Sequence, residues 1–225
     1  MQLSPLIISL QVACVATIIT FFCGIAAARL VLRVNKGKGL LDVLFTLPLV
    51  LPPTVVGFFL LLVFGTNNPL GQLLSAVGIK VVFSRCGAII AAATVSFPLM
   101  YRTTRGAFEQ LDNNLIYAAR TLGVSEQWIF WKLIIPLSGP GIIAGTILAF
   151  TRALGEFGAT VMLAGNIPGK TQTMSVAIYT AVQAGNRQLA YKWVAIICII
   201  SLITILLMNY WSSYQKRRQQ QEVKL

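Results

Sequence analysis

The sequence predicts an all-α integral membrane protein: a polytopic helix bundle of five spans, or six if a re-entrant segment over 173–184 enters the bilayer. Three observations carry this. The chain is 56% hydrophobic with a mean hydropathy of +0.78, and only 11% of its residues are charged, against about a quarter in a soluble domain. Its apolar residues gather into five runs of spanning character, about Leu6–Leu32, Val43–Gly65, Cys86–Tyr101, Ser138–Leu163 and Trp193–Trp211. The basic residues sit unevenly between those runs. Residues 1–225 read as one transmembrane domain with a cytoplasmic segment over about 102–137 inside it.

The first run resembles a signal peptide at Ala26-Ala27-Ala28, but Met1–Pro5 carries no positive charge and the run is too long for a signal core. Arg29, Arg33, Lys36 and Lys38 follow it, which places the N-terminus outside and the next loop in the cytoplasm. The alternation continues. Segments assigned to the cytoplasm carry Arg29, Arg33, Lys36, Lys38, Arg102, Arg105, Arg120, Lys132, Lys216, Arg217, Arg218 and Lys224, twelve in all. Those assigned outside carry five: Lys80, Arg85, Lys170, Arg187 and Lys192. The C-terminus is therefore expected inside, with Lys216-Arg217-Arg218 anchoring the last run.

The second run contains Pro48, Pro52 and Pro53 with Thr54 following. Prolines free backbone carbonyls, and in lipid such backbone survives where protein or a water-filled path surrounds it. The run reads either as a kinked packing helix or as one bent around a substrate path. After it, Gly65-Thr66-Asn67-Asn68-Pro69 is a turn and Leu70–Val77 a short surface helix. The third run is short as counted and is expected to extend at both ends, with a kink signal at Pro98 and a basic continuation from Arg102.

Asn113–Pro136 is the least membrane-like part of the interior sequence. Leu115, Ala118, Ala119 and Leu122 recur at helical spacing, Gly123 is a helix stop, Ser125 is a good N-cap for a second short helix, and Pro136 is expected to end it. This helix–turn–helix between spans implies a partner on the cytoplasmic side. The fourth run carries Gly141, Ala144, Gly145 and Ala149, small enough for close helix contact. It goes on to Thr151, Arg152 and Glu156. Arg152 and Glu156 lie four apart on one helical face near mid-membrane. They form either a mutual ion pair that orders the bundle or part of an anion path using Arg152 and nearby hydroxyls.

Ala164–Thr171 imitates a phosphate-binding loop but begins on Ala164 instead of glycine and follows a membrane run, so a turn is expected. Thr173–Ala184 suits a re-entrant or surface helix. The chain has no histidine, and Cys14, Cys23, Cys86 and Cys198 lack ligand spacing, so no metal or catalytic site is expected and the cysteines read as small buried hydrophobes. The net charge of +12 is dispersed between apolar runs, which opposes nucleic acid as a partner. Glu156 is the one acidic residue inside a run, too few for a typical proton- or sodium-coupled carrier.

Tyr117-Ala118-Ala119, three residues, Gly123, nine residues, then Leu133-Ile134-Ile135-Pro136 resembles the EAA loop of binding-protein-dependent ABC importer permeases. Tyr117 stands where that pattern has glutamate. The double-proline run, Ser96-Phe97-Pro98-Leu99-Met100, and Leu154–Thr160 with Asn166-Ile167-Pro168-Gly169 are similar to the molybdate permease subunits over essentially Leu6–Trp211; the last of these is shared with sulfate permeases. The resemblance implies a bacterial or archaeal inner-membrane subunit that pairs with a second copy of itself. It binds two ABC ATPase subunits through Leu115, Tyr117, Ala118, Ala119, Arg120, Leu122, Gly123 and Pro136, with Arg120 free to meet acidic groups of the ATPase. An extracytoplasmic oxyanion-binding protein delivers the substrate, and lipid surrounds the whole. No cofactor is implied for this chain, ATP-Mg being used by the partner. Pro52, Pro53, Thr54, Thr151, Arg152 and Glu156 are the expected translocation path. The implied cargo is molybdate with tungstate. Sulfate or thiosulfate is the alternative within the class, and a stand-alone anion carrier or channel the alternative outside it.

Overall fold

The computed structural model describes residues 3–34 and 36–222, and of residues 208–209 and 211–222 the backbone alone. Its described residues are helices and turns. They are α1 Ser4–Arg33, α2 Lys38–Val50, α3 Pro53–Phe64, α4 Pro69–Ala76, α5 Arg85–Glu109, α6 Asn113–Thr121, α7 Glu126–Ile129, α8 Ile135–Leu137, α9 Gly139–Leu154, α10 Gly158–Ala164, α11 Met174–Gln183 and α12 Arg187–Glu222.

α1 and α12 are long and apolar enough to cross a membrane, α12 over Arg187–Leu207. α5 is the centre of the bundle and packs against α1, α2, α3, α9 and α10. The N-terminal half of its buried face is built of small residues, among them Ala88, Ala91, Ala92 and Ser96, and the C-terminal half buries the larger Met100, Tyr101 and Phe108. Close approach between helices replaces the hydrophobic effect that lipid cannot supply. The α9 face fits the same rule. Gly141 abuts Ala107, where an added Cβ would lie 2.4 Å from that methyl group, and Ala149 is fully buried.

Two runs that read as spans are broken. α2 and α3 meet at 112° across Leu51-Pro52. Pro52 and Pro53 have no N–H to continue the ladder, and extended Pro52 turns the chain. The fourth run breaks after Leu154, and α10 begins anew at Gly158. By contrast, Pro98 lies inside an unbroken α5, whose extension to Arg85 and Glu109 matches the expectation at both ends.

Pro136 does not end the second coupling helix. Phe130–Ile134 forms a π turn, the helix continues through Ile135–Leu137, and the chain bends by 70° only at Ser138. The wider π register absorbs the missing proline N–H. The four cysteines are exposed and not buried. In a membrane bundle an outward thiol meets apolar surroundings, so the inference from apolar neighbours to a buried position fails. Ala164–Thr171 is a turn as expected, closed by bonds from Lys170, Thr171 and Gln172 N–H to the Ile167 carbonyl. α11 packs on α12 and α1, and the Met174 N–H donates to Ser9 Oγ. Lys216, Arg217 and Arg218 have their side chains, and Lys224 its whole residue, outside the described part.

Candidate functional site

Two regions hold the residues singled out by sequence. The first is the helix–turn–helix α6–α7. Asp112 caps α6 through Asn114 N–H, and Ser125 caps α7 through Trp128 N–H. Gly123 takes φ +74°, a left-handed conformation that suits glycine at a helix end. At about 100° per residue, α6 presents two faces. Leu115, Ala118, Ala119 and Leu122 lie on the outer one, with Leu115 and Leu122 strongly exposed. Asn113, Ile116, Tyr117 and Arg120 line a cleft of about 370 Å³ against the ends of α1, α2 and α5.

Arg120 is engaged within the chain and not left free for a partner. Its Nε donates to Glu126 Oε1 at 2.6 Å, and a second nitrogen donates to Oε2 at 3.2 Å. The Tyr117 ring sits 5.9 Å from the same guanidinium. The hydrogen bond from Arg120 holds the Glu126 carboxyl below its usual range, and the same bond raises the Arg120 guanidinium. The acid that pairs here is therefore supplied from α7, six residues beyond Arg120, while position 117 offers an aromatic face.

The second region is the junction of the two helix breaks. Gly158 abuts Pro53 and Thr54, and Gly57 lies directly on the Ala159 backbone. A Cβ on Gly57 would fall 2.7 Å from Ala159 Cα, so nothing larger than glycine fits without displacing main chain. Glu156 is buried beside this contact, its side chain 1% exposed. Oε2 accepts from Arg152 at 2.6 Å and Oε1 from Ala159 N–H at 2.9 Å. One carboxylate thus neutralises α9's last-turn arginine and caps α10, holding the broken ends in register. The Arg152 side chain is 29% exposed, against 1% for its partner.

The predicted path residues therefore divide. Arg152 and Glu156 pair with each other, Gly158 two residues on abuts Pro53 and Thr54, and Pro52 is exposed at the neighbouring break. Thr151 turns its hydroxyl back to the Ile147 and Leu148 carbonyls.

Sequence reasoning missed a polar tie between α2 and α5. Asp42 accepts from Tyr101 Oη at 2.8 Å and pairs with Arg105, which also binds Glu109 at 2.9 Å. The Arg105–Glu109 spacing of four was a visible signal. The tie to Asp42, 63 positions from Arg105, was not.

A bundle of apolar helices, two of its runs broken, with an exposed helix–turn–helix between them, marks an integral membrane protein. The chain belongs to the family described as binding-protein-dependent transport system inner membrane component, which matches residues 20–219, and it is an ABC importer permease of that family. It is 44% identical over 204 residues to the putative molybdenum transport system permease protein YvgM of Bacillus subtilis (strain 168), 90% of each chain. It is 44% identical over 207 residues to the molybdenum transport system permease protein ModB of Escherichia coli (strain K12), 91% of this chain and 90% of that one. Among solved structures, a bacterial ABC transporter that imports the acidic polysaccharide alginate aligns with TM-score 0.77 at 16% identity, over 94% of this chain and 79% of that one. An inward-facing MetNI methionine ABC transporter aligns with TM-score 0.70 at 15% identity, over 93% and 94%.

Proposed function

We propose that this chain is the membrane subunit of an ATP-driven importer of molybdate, with tungstate as a second cargo. The observation that carries the cargo is 44% identity to molybdenum permeases along nine-tenths of both chains, against 36% over 212 residues to the sulfate permease CysT of Salmonella typhimurium. Two copies of the chain enclose the pathway. Two ATPase subunits dock on the outer face of α6, and an extracytoplasmic binding protein supplies the anion. The N-terminus faces out and the C-terminus in, the orientation that the twelve-to-five distribution of basic residues favours. Residues 102–137 are the coupling segment of a single domain. ATP closure draws the docked segments together and opens the pathway outward, and release follows on return.

The outer face of α6 supports docking because Leu115 and Leu122 are exposed where no neighbour covers them among the described residues. Arg152 supports the anion path because it is a part-exposed cation beside the junction of the breaks. Its pairing with Glu156 lowers its net attraction for anions, which suits passage over retention. Uptake of labelled molybdate by the complete complex, competed by tungstate and sulfate, tests the cargo. Displacement by sulfate as strong as by tungstate would assign the chain to sulfate. Oxyanion flux through this chain reconstituted without ATPase or binding protein would make it a carrier or channel.

A further inference from the structure

The cleft beneath α6 carries charge that the transport cycle does not use. Arg29, Arg33, Lys38 and Arg120 all reach it, against two carboxylates, Glu109 and Glu126. Lys38 pairs with Glu109 at 3.5 Å and Arg120 with Glu126 at 2.6 Å. Among the described residues neither Arg29 nor Arg33 has a carboxylate within 4.0 Å. Both stand on one face of the last turns of α1, four residues apart. Arg29 is fixed in place: its guanidinium lies 3.8 Å from the centre of the Phe130 ring, and its Nε is buried with no hydrogen-bond partner. A buried, unpartnered N–H on a held guanidinium is a donor awaiting an acceptor. The facing wall adds the Asn113 amide and the Tyr117 hydroxyl.

We infer that this cleft binds a phosphate group, held by Arg29 and Arg33 and completed by Tyr117 and Asn113 from α6. Two guanidinium forks match phosphate oxygens in geometry and charge, and the cleft of about 370 Å³ admits a headgroup. Basic pockets between helices at the cytoplasmic face take anionic lipid headgroups. Leu30 and Leu32, exposed beside the cleft, offer apolar surface to acyl chains. The same chemistry accepts free phosphate from solution. Because the site is walled on one side by α6, an occupied cleft braces the docking helix against α1.

The cleft's cytoplasmic placement rests on the orientation proposed above, but binding to the solubilised chain does not, so the two fail separately. Thermal unfolding of the full chain in detergent is followed with dioctanoyl phosphatidylglycerol, the phosphate-free dioctanoylglycerol or inorganic phosphate. Phosphatidylglycerol is expected to raise Tm by about 3 °C or more, dioctanoylglycerol much less. An equal rise with inorganic phosphate identifies the free anion as the occupant. Arg33→Gln, exposed and not needed for packing, removes most of the rise, as does Arg29→Gln where it folds. Lys132→Gln, an exposed cation outside the cleft, leaves it intact. No rise with either phosphatidylglycerol or phosphate, an equal rise with dioctanoylglycerol, or a full rise in Arg33→Gln overturns the site.

Discussion

The Arg152–Glu156 pair lets a structural role be separated from a transport role. Arg152→Ala leaves a buried carboxylate with one remaining partner, Ala159 N–H. Removing one member of a buried pair costs about 3–5 kcal/mol, and the 29% exposure of Arg152 favours the lower end. At about 2–4 °C per kcal/mol for a chain of this size, Tm falls by about 6–12 °C. The double variant Arg152→Ala/Glu156→Ala removes both charges. It loses mainly the cap on α10, about 1 kcal/mol, so it is expected to be more stable than Arg152→Ala alone by about 2 kcal/mol. Uptake behaves differently. Per folded complex, the double variant stays at least about tenfold below wild type, because the part-exposed cation is gone while the break is neutral. The assay pairs thermal unfolding with ATP-dependent molybdate uptake into proteoliposomes, normalised to folded complex. Wild-type uptake by the double variant would confine Arg152 to holding the helices together. A double variant less stable than either single one would refute the coupling itself.

Gly123→Asp forces a left-handed φ of +74° onto a residue with a Cβ and adds charge at the docking turn. The space around the position is open, so the fold is retained while co-purifying ATPase falls severalfold, read by pull-down of the complex. Asp42→Asn weakens the tie to Tyr101 and Arg105 and is expected to destabilise by about 1–3 kcal/mol, seen as a lower Tm at unchanged secondary structure. Glu126 has a depressed pKa, so its contribution is present above the ordinary carboxylate range and disappears as pH falls through the lowered value. Amide exchange in α6 should show no contribution from this pair's titration between pH 6 and 8, and Glu126→Gln should lose the acid transition.

Much of this architecture was legible because its causes are local. The stop at Gly123 and the cap at Ser125 are set within one turn of the residues that make them. The breaks at Pro52-Pro53 were signalled by chemistry, but the 112° angle was not, since a proline releases the ladder and packing chooses the direction. Pro136 misled for a related reason: a π turn just upstream let the helix accept it. Arg152 and Glu156 announced their pairing by spacing, whereas the second bond of Glu156, to Ala159, depends on a helix restarting at Gly158. Arg120 was read as free because Glu126 lies beyond an intervening turn, and only the fold of α7 onto α6 brings the acid back.

The position of α5 has a mechanical consequence. Its C-terminal residue Glu109 lies four positions before the start of α6, and the helix runs unbroken over 25 residues, about 37 Å at 1.5 Å per residue. Toward its other end it grips α10 and α3, the pair that carries the junction of the breaks. Residues 110–112 tie α6 to this helix, so a displacement of α6 would reach the junction along a continuous helical backbone. Small residues bring the N-terminal half of α5 close to its neighbours, while Met100, Tyr101 and Phe108 lock its C-terminal half between α1 and α9, so these three helices move as one packed body.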